Sequence, residues 1–185
     1  QALILAGGRG TRFWPKSPKA RAKQVIEFFG QGTMIQQTVA RLKQAVPLER
    51  IWVMTNPLLR DEIARQLPGV PKRQILAEPV QRNTAPAIGL AAHIIRSVDP
   101  SAVMGVFHSD HFIERETPFL KTVKGAYETA AKGGIALIGI EPRWPETGYG
   151  YIEFEPGAMN PGSVAPAHVV GFREKPALAQ AERFL

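Results

Sequence analysis

The sequence predicts an α/β fold in which helices flank a mostly parallel sheet. Three observations support this prediction: strand and helix patterns alternate along most of the chain, the strand patterns are short continuous apolar runs, and turn residues separate them. Continuous apolar strands are typical of parallel sheets covered by helices on both faces, because neither face then meets water. We therefore expect a Rossmann-like sheet within one domain that spans residues 1–185.

Each element follows from its own local pattern. The predicted strands are apolar runs of four to six residues, at 2–6, 50–55, 73–76, 102–107 and 135–140. The predicted helices have apolar residues at helical spacing, at 34–46, 58–67, 84–98 and 118–132. Asn56 and Pro57 form a helix-start pair before the second helix. Pro86 lies in the first turn of the third helix, where its missing N–H costs little.

The C-terminal part departs from this alternation. Residues 149–157 and 168–176 predict two strands of a hairpin-type insertion, joined by a loop of mostly small residues. Residues 177–185 follow Pro176 and predict the start of a helix. A doubly wound sheet normally continues with further strands, so we expect the domain to be truncated at its C-terminus, with more segments downstream.

Composition and charge narrow the class of protein. The hydrophobic fraction of 44% and the charged fraction of 21% are ordinary for a globular protein, and no apolar run of about 18 residues predicts a transmembrane helix. The absence of cysteine excludes disulfides and thiolate metal sites and fits a cytoplasmic protein. Most of the net charge of +7 arises within residues 1–30, which hold six basic residues and one acidic residue. Such a confined charge suits a nucleoside triphosphate, and we expect neither a nucleic-acid nor a membrane partner.

The loop after the first strand combines this charge with glycines, in the stretch LILAGGRGTRFWPKSPKARAKQ at residues 3–24. In a parallel sheet such a loop lies at the carboxyl edge, where ligands of these folds bind. Glycines let the backbone approach a phosphate or a base closely. The pattern is neither a Walker loop nor the dinucleotide-binding fingerprint. On its own it also fits a strand-to-helix turn with solvated arginines.

Five sequence blocks together resemble the sugar-nucleotidyltransferase family. In chain order they are LILAGGRGTRFWP with KQ at residues 23–24, EPVQRNTAPAIGLAA at 78–92, HSDHFI at 108–113, TGYGYIE at 147–153 and FREKP at 172–176. The F-W-P variant of the first block is similar to that of the mannose-1-phosphate guanylyltransferases. The resemblance implies a fold of the nucleotide-diphospho-sugar transferase type. It also implies a reaction in which mannose 1-phosphate attacks the α-phosphorus of GTP in line, giving GDP-mannose and pyrophosphate without a protein nucleophile.

The resemblance further implies which residues form the site. Arg12 and Lys23 would be catalytic, stabilising the charge of phosphoryl transfer. The implied nucleotide-binding residues lie in the first three blocks: Leu5, Ala6, Gly7, Gly8, Gly10, Thr11, Arg12, Lys23, Glu78, Asn83, Thr84, Ser109 and Asp110. The implied sugar-phosphate residues lie in the last two blocks: Gly148, Tyr149, Glu174 and Lys175. Asp110 would hold Mg²⁺, and a second metal-binding aspartate would follow downstream of the FREKP block.

Asp110 and Glu78 have a chemical reason for these roles. Asp110 follows a predicted strand, and Mg²⁺ is usually held by one or two carboxylates together with phosphate oxygens. The flanking His108 and His111 are not expected to bind Mg²⁺, which prefers oxygen ligands. A carboxylate such as Glu78 can accept hydrogen bonds from N1–H and the exocyclic amine of guanine, a donor pair that adenine lacks.

The same residues also have ordinary structural interpretations. Asp110 can be a turn residue, and Asn83 or Thr84 can simply cap the following helix. Glu174 and Lys175 can form a surface ion pair of little energetic value.

Other functions remain open at this point. The nearest alternative is the same reaction with a different nucleotide and sugar phosphate, such as that of a thymidylyl- or uridylyltransferase acting on glucose 1-phosphate. The RNTAPAI segment argues against this alternative. A regulatory homologue that binds sugar nucleotides without catalysis is less favoured, because the charged site residues are present. A nucleic-acid-binding module has only the isoelectric point of 10.0 in its favour. The sequence is compatible with a homo-oligomer.

Overall fold

A computed structural model describes residues 1–8, 30, 32–155, 157–158 and 165–185. It contains two compact units, residues 1–120 and residues 121–185. Of the predicted site residues that the structure describes, most lie in or directly after the parallel sheet of the first unit, and the others lie at a pair of antiparallel strands in the second unit.

Strands and helices alternate in the first unit, as the sequence predicts. The strands are β1 (Ala2–Leu5), β2 (Ile51–Thr55), β3 (Ile75–Ala77) and β4 (Gly105–His108). The helices are α1 (Met34–Leu42), α2 (Pro57–Gln66), α3 (Thr84–Val98) and α4 (Glu116–Ala130), the last of which begins in the first unit and ends in the second. Short 3-10 helices, Leu48–Arg50 and Lys72–Gln74, precede β2 and β3.

The four strands form one sheet in the order β3-β2-β1-β4, and every neighbouring pair is parallel. Strand β1 lies between β2 and β4, so Leu5 pairs with Met54 on one side and with His108 on the other. Because the four strands run in the same direction, the segments that follow them meet at one carboxyl edge. The predicted parallel α/β sheet is confirmed, and the start of the glycine loop lies between two other strand ends.

The core explains why the strands are continuous apolar runs. On one face of the sheet, a buried cluster with helix α3 consists of Leu3, Trp52, Met54, Ala87, Ala91 and Ile95. Successive side chains of a strand point to opposite faces. Ile4 and Val53, which are fully buried, therefore belong to the other face. Both faces of β1 and β2 are therefore buried, and the polar side chains of the described sheet lie at strand ends.

Local capping signals fix where the helices start. Thr33 caps α1 in a capping box, in which its hydroxyl accepts from the Gln36 N–H and Gln36 Oε1 accepts from the Thr33 N–H at 2.9 Å. Asn56 caps α2 through hydrogen bonds from two backbone N–H groups of its first turn, and Pro57 is the first helical residue. The predicted helix-start pair is thus confirmed. Pro86 lies in the first turn of α3, as predicted.

The second unit contains β5 (Gly150–Phe154) and β6 (Val169–Glu174), which pair in antiparallel fashion and confirm the predicted hairpin-type strands. A short helix α5 (Leu178–Ala181) and a 3-10 helix (Glu182–Phe184) follow. Among the described residues, no helix of either unit is both long and apolar enough to cross a membrane.

The predicted strand at 135–140 is wrong. Within the described residues this segment is not a strand, and Ile135 and Ile140 are 91% and 88% exposed. An apolar run becomes a strand only where a neighbouring strand satisfies its backbone hydrogen bonds. The described sheet of the second unit consists of β5 and β6, and this segment pairs with neither. Smaller shifts affect element ends: α1 stops at Leu42 and β4 starts at Gly105.

Candidate active site

The candidate site is built from the four segments that follow the parallel strands. Ala6, Gly7 and Gly8 follow β1, and Asn56 follows β2. Glu78 follows β3, and Ser109 and Asp110 follow β4. One edge of the sheet therefore carries Glu78 and the described residues of the glycine loop and of the HSDHFI block that are predicted to bind nucleotide.

Hydrogen bonds to β2 and to the segments after β2 and β3 hold the start of the glycine loop in place. The Ala6 N–H donates to the Met54 carbonyl at 2.8 Å, and Thr55 Oγ1 donates to the Ala6 carbonyl at 3.0 Å. The Gly7 carbonyl accepts from Asn56 Nδ2 at 3.2 Å and also from Gln81 Nε2. These four bonds hold the backbone in one conformation before any ligand binds, which reduces the entropy lost on binding.

Asn56 has two roles, of which the sequence predicts only one. Its Oδ1 accepts from the N–H groups of Leu58 and Leu59 at 3.0 and 3.1 Å, while its Nδ2 donates to Gly7. Gln81 was not predicted as a site residue either. The contacts of Asn56 and Gln81 with Gly7 join residues that are more than 40 positions apart, and no local sequence pattern predicts such pairs.

Replacing Asn56 separates these two roles. We expect Asn56→Ala to lower the free energy of unfolding by about 1–2 kcal/mol, because the α2 cap and the bond to Gly7 are both lost. Asn56→Asp keeps the cap acceptor but places a carboxylate beside the Gly7 carbonyl, so it should stay more stable than Asn56→Ala yet bind nucleotide more weakly than wild type. Urea unfolding and nucleotide titration measure the two effects. Wild-type stability of Asn56→Ala would contradict this account.

Glu78 is the buried carboxylate of the site. Its side chain is 8% exposed, and its N–H donates to the Thr55 carbonyl at 2.9 Å. Burial raises the pKa of Glu78 above its ordinary value, because it removes water from the charged form. A Cβ added at Gly7 would lie 3.0 Å from Glu78 Oε1, so the glycine is what lets this carboxylate sit against the loop.

Asn83 begins α3 in an unusual backbone conformation. Its φ of 65° and ψ of −169° lie in a region that is essentially restricted to glycine and costs about 1–3 kcal/mol for other residues. Among the described residues, its side chain makes no capping hydrogen bond to α3. The interpretation of Asn83 as an ordinary helix cap is therefore wrong. Thr84, the first residue of α3, is exposed like Asn83, so both side chains are accessible to a ligand.

The segment after β4 is anchored at Ser109. This residue is 3% exposed, its N–H donates to the Leu5 carbonyl at 3.1 Å, and its carbonyl accepts from Thr38 Oγ1 at 3.5 Å. The next residue, Asp110, is half-buried. One ligand atom each from His108, Asp110 and His111 lie within 4.8 Å of one another.

The described sugar-phosphate residues come together at one end of the β5–β6 pair. Gly150 pairs with Glu174, and the Lys175 N–H donates to the Tyr149 carbonyl at 3.0 Å. The Gly148 N–H donates to Glu146 Oε1 at 2.8 Å. The structure therefore places Tyr149 and Gly150 beside Lys175 and Glu174, with Gly148 directly before Tyr149 in the chain.

Glu174 and Lys175 form an exposed ion pair at this end of the β5–β6 pair, and Lys175 has an uncommon backbone conformation. Lys175 Nζ lies 3.1 Å from Glu174 Oε1, with both side chains more than half exposed, so the pair adds little stability. Lys175 has a φ of 45°, a left-handed conformation that is uncommon for a residue other than glycine. Gly150 lets the side chains of Phe172 and Glu174 lie close to its backbone, because an added Cβ would lie 2.6 Å from Phe172 Cε1 and 2.8 Å from Glu174 Oε2 and would make both exposed side chains shift.

Part of the predicted site lies outside the described residues. These positions are Gly10, Thr11, Arg12 and Lys23.

Comparison with known proteins decides the family. The family model described as nucleotidyl transferase matches residues 1–185, the whole chain. The chain belongs to the nucleotidyl transferase family. This membership agrees with the carboxyl-edge site, because the glycine loop and Asp110 occupy adjacent strand ends of its parallel sheet.

Two curated relatives of this nucleotidyl transferase carry the same name. The chain is 43% identical over 154 residues to mannose-1-phosphate guanylyltransferase of Sinorhizobium fredii (strain NBRC 101917 / NGR234), covering 81% of this chain and 30% of that protein. It is 38% identical over 185 residues to mannose-1-phosphate guanylyltransferase of Klebsiella pneumoniae, covering 99% of this chain and 39% of that protein. The chain thus spans well under half the length of these relatives.

A solved structure supports the fold. The crystal structure of mannose-1-phosphate geranyltransferase from Thermus thermophilus superposes with a TM-score of 0.82 at 32% identity, covering 99% of this chain and 52% of that chain. The match extends over both units of this nucleotidyl transferase, and it agrees with the predicted Rossmann-like architecture.

Proposed function

We propose that the protein transfers a guanylyl group from GTP to mannose 1-phosphate, forming GDP-mannose and releasing pyrophosphate. The observation that carries the proposal is the buried Glu78 carboxylate held against Gly7 at the sheet edge that also carries Asp110. The relatives named mannose-1-phosphate guanylyltransferase support the same substrates. In this proposal residues 1–185 form part of a nucleotidyltransferase domain that takes GTP and mannose 1-phosphate as its partners.

Glu78 would select guanine. An ionised carboxylate accepts two hydrogen bonds, and guanine presents two donors, N1–H and the exocyclic amine, on one edge. A buried carboxylate that meets a base without those donors is left unsatisfied, which costs about 1–3 kcal/mol or more for a charged group. Asn83 and Thr84 would add contacts at the start of α3, since both are exposed there.

The phosphates would lie along the glycine loop. In this arrangement Gly7 and Gly8 let the backbone approach them closely, and Arg12 and Lys23 would balance the negative charge that grows as the α-phosphorus is attacked. The attacking oxygen belongs to mannose 1-phosphate, so the protein has to position it in line rather than supply a nucleophile. Glu174 and Lys175 would hold the sugar hydroxyls and the phosphate of that substrate.

A divalent cation fits the donor set after β4. The half-buried Asp110 carboxylate follows a strand at the edge where the phosphates would bind, and hard cations such as Mg²⁺ are held by one or two carboxylates with phosphate oxygens. When bound there, the cation would neutralise charge on the triphosphate. The chain's own contribution is to fix Asp110 in place through the buried Ser109.

A substrate panel tests the proposal directly. The full-length protein is given GTP, ATP, UTP or dTTP, each with mannose 1-phosphate or glucose 1-phosphate, and pyrophosphate release is measured. We expect the fastest release with GTP and mannose 1-phosphate. Faster release with UTP or dTTP and glucose 1-phosphate would contradict the specificity, and nucleotide binding without any release would indicate a regulatory protein.

The catalytic role of Arg12 and Lys23 has its own test. We expect Arg12→Ala and Lys23→Ala each to lower turnover about a hundredfold, as for the loss of one donor to transition-state charge. Lys16→Ala is a matched control, because Lys16 lies in the same basic stretch but outside the implied site. If the two variants lose no more turnover than the control, the catalytic assignment fails.

A further inference from the structure

We propose that Glu146 is a positioning residue of the sugar-phosphate site. It fixes the turn before β5, so that Gly148 and Tyr149 are held in a binding conformation before mannose 1-phosphate arrives. The inference rests on the proposed function, because it assigns this turn to the sugar-phosphate substrate. Glu146 itself lies just outside the TGYGYIE block and is not among the residues that the resemblance implies for the site.

Glu146 holds the turn through its backbone and through both of its carboxylate oxygens. Its Oε1 accepts from the Gly148 N–H at 2.8 Å, and its Oε2 accepts from Trp144 Nε1 at 3.4 Å. Its N–H donates to the Trp144 carbonyl at 2.8 Å, and its carbonyl accepts from the Tyr151 hydroxyl at 2.9 Å. One residue therefore connects the segment before the turn, the turn itself and the start of β5.

The bond from Gly148 to the carboxylate is the strongest of these contacts. A hydrogen bond to an ionised acceptor is about twice as strong as one between neutral groups. A Cβ added at Gly148 would lie 3.1 Å from Glu146 Oε1, so the glycine lets the carboxylate approach this backbone closely. Because a glycine backbone is otherwise more flexible than that of any other residue, the bond removes conformational freedom where the chain has most of it.

The residues that Glu146 holds in place are exposed rather than buried. Gly148 is exposed, and Tyr149 is 69% exposed. The Tyr149 carbonyl accepts from the Lys175 N–H at 3.0 Å, so hydrogen bonds fix the backbone of both residues. Fixing exposed residues adds little to packing, but it reduces the entropy that they lose when a ligand binds. Glu146 is therefore assigned to substrate binding and not only to the stability of the second unit.

Replacing Glu146 should affect one substrate and spare the other. In the full-length protein, Glu146→Ala should raise KM for mannose 1-phosphate about tenfold to a hundredfold, because a misplacement of about 1 Å can cost as much as about a hundredfold. KM for GTP should stay near the wild-type value, since the start of the glycine loop and Glu78 lie in the first unit. Glu146→Gln keeps an acceptor for the Gly148 N–H and should recover most of the affinity. Glu141→Ala, at an exposed position upstream of the turn, is the matched control and should leave both KM values unchanged.

Calorimetric titration with mannose 1-phosphate, with and without GDP, measures the same affinity without the transfer reaction. Binding of mannose 1-phosphate by a wild type that releases no pyrophosphate from GTP would contradict the proposed function, and the variants would still test Glu146.

Tyr151→Phe removes only the hydroxyl that donates to the Glu146 carbonyl, and it should weaken this binding severalfold. Wild-type affinity of Glu146→Ala, or of Tyr151→Phe where thermal unfolding shows that Glu146→Ala does not fold, would overturn the inference. An equal rise in KM for both substrates would also overturn it, because a purely structural role predicts that result. So would a wild type that does not bind mannose 1-phosphate under either condition.

Discussion

Asp110→Asn should lower pyrophosphate release from GTP and mannose 1-phosphate by about a thousandfold in the full-length protein, which corresponds to about 4 kcal/mol of transition-state stabilisation. The physical reason is the charge of the ligand. A neutral amide holds a hard cation far more weakly than a carboxylate of nearly the same shape. Asp110 lies at the end of β4 beside the glycine loop, where the loss of the cation would leave the triphosphate charge uncompensated.

The measurement is the rate of pyrophosphate release as MgCl₂ is raised. Asp61→Asn is the matched control, because Asp61 is an exposed aspartate on α2 away from the strand ends, and it should retain wild-type rates. Thermal unfolding of both variants shows whether the fold is intact. An Asp110→Asn variant that keeps the wild-type rate and the wild-type Mg²⁺ dependence would remove this residue from the cation site.

Much of the fold is predictable because its signals are local. Asn56 followed by Pro57 marks the start of α2 by the chemistry of two adjacent residues, and the apolar run of β2 reflects burial on both faces. The same holds for α3, whose bounds match the predicted 84–98. Such elements need no knowledge of their partners, since periodicity and capping already determine them.

The failures concern residues whose state depends on distant partners. The run at 135–140 has a strand-like composition, but strand formation requires a second backbone that the run itself does not specify. Asn83 looks like a helix cap in the sequence, yet its positive φ takes it out of the capping geometry. Asn56 and Gln81 meet at the Gly7 carbonyl because the parallel sheet brings together the ends of β1, β2 and β3, which these residues follow.

Glu78→Gln should lower the preference for GTP over ATP by about a thousandfold. This loss is smaller than the discrimination of about 10⁴–10⁵ that can be reached by sites built to hydrogen-bond a substrate's polar groups. Glutamine has the size of glutamate, but its amide offers one acceptor and one donor. The donor would meet a guanine N–H, so the pair of hydrogen bonds is replaced by one bond and one mismatch. Most of the loss should come from weaker binding and slower use of GTP, with the use of ATP changed little.

The raised pKa of Glu78 gives two pH effects of opposite sign. Because the folded pKa lies above the ordinary value of 4.5, the folded protein binds the proton more tightly than the unfolded chain does. The resulting stability is fully present below pH 4.5 and is lost as the pH rises through the folded pKa. Guanine binding requires the ionised carboxylate, so affinity for GTP should increase over the same window as the stability of the free protein decreases.

Glu78→Gln removes the titrating group and should remove both effects together. Unfolding free energies and GTP dissociation constants are measured from pH 4.5 upward for the wild type, for Glu78→Gln and for Glu49→Gln, an exposed glutamate before β2 that serves as the control. We expect the control to follow the wild type in both quantities, while Glu78→Gln loses less stability as the pH rises and binds GTP weakly throughout. Unchanged GTP preference and unchanged pH slopes in Glu78→Gln would show that this carboxylate neither titrates in this window nor contacts the base.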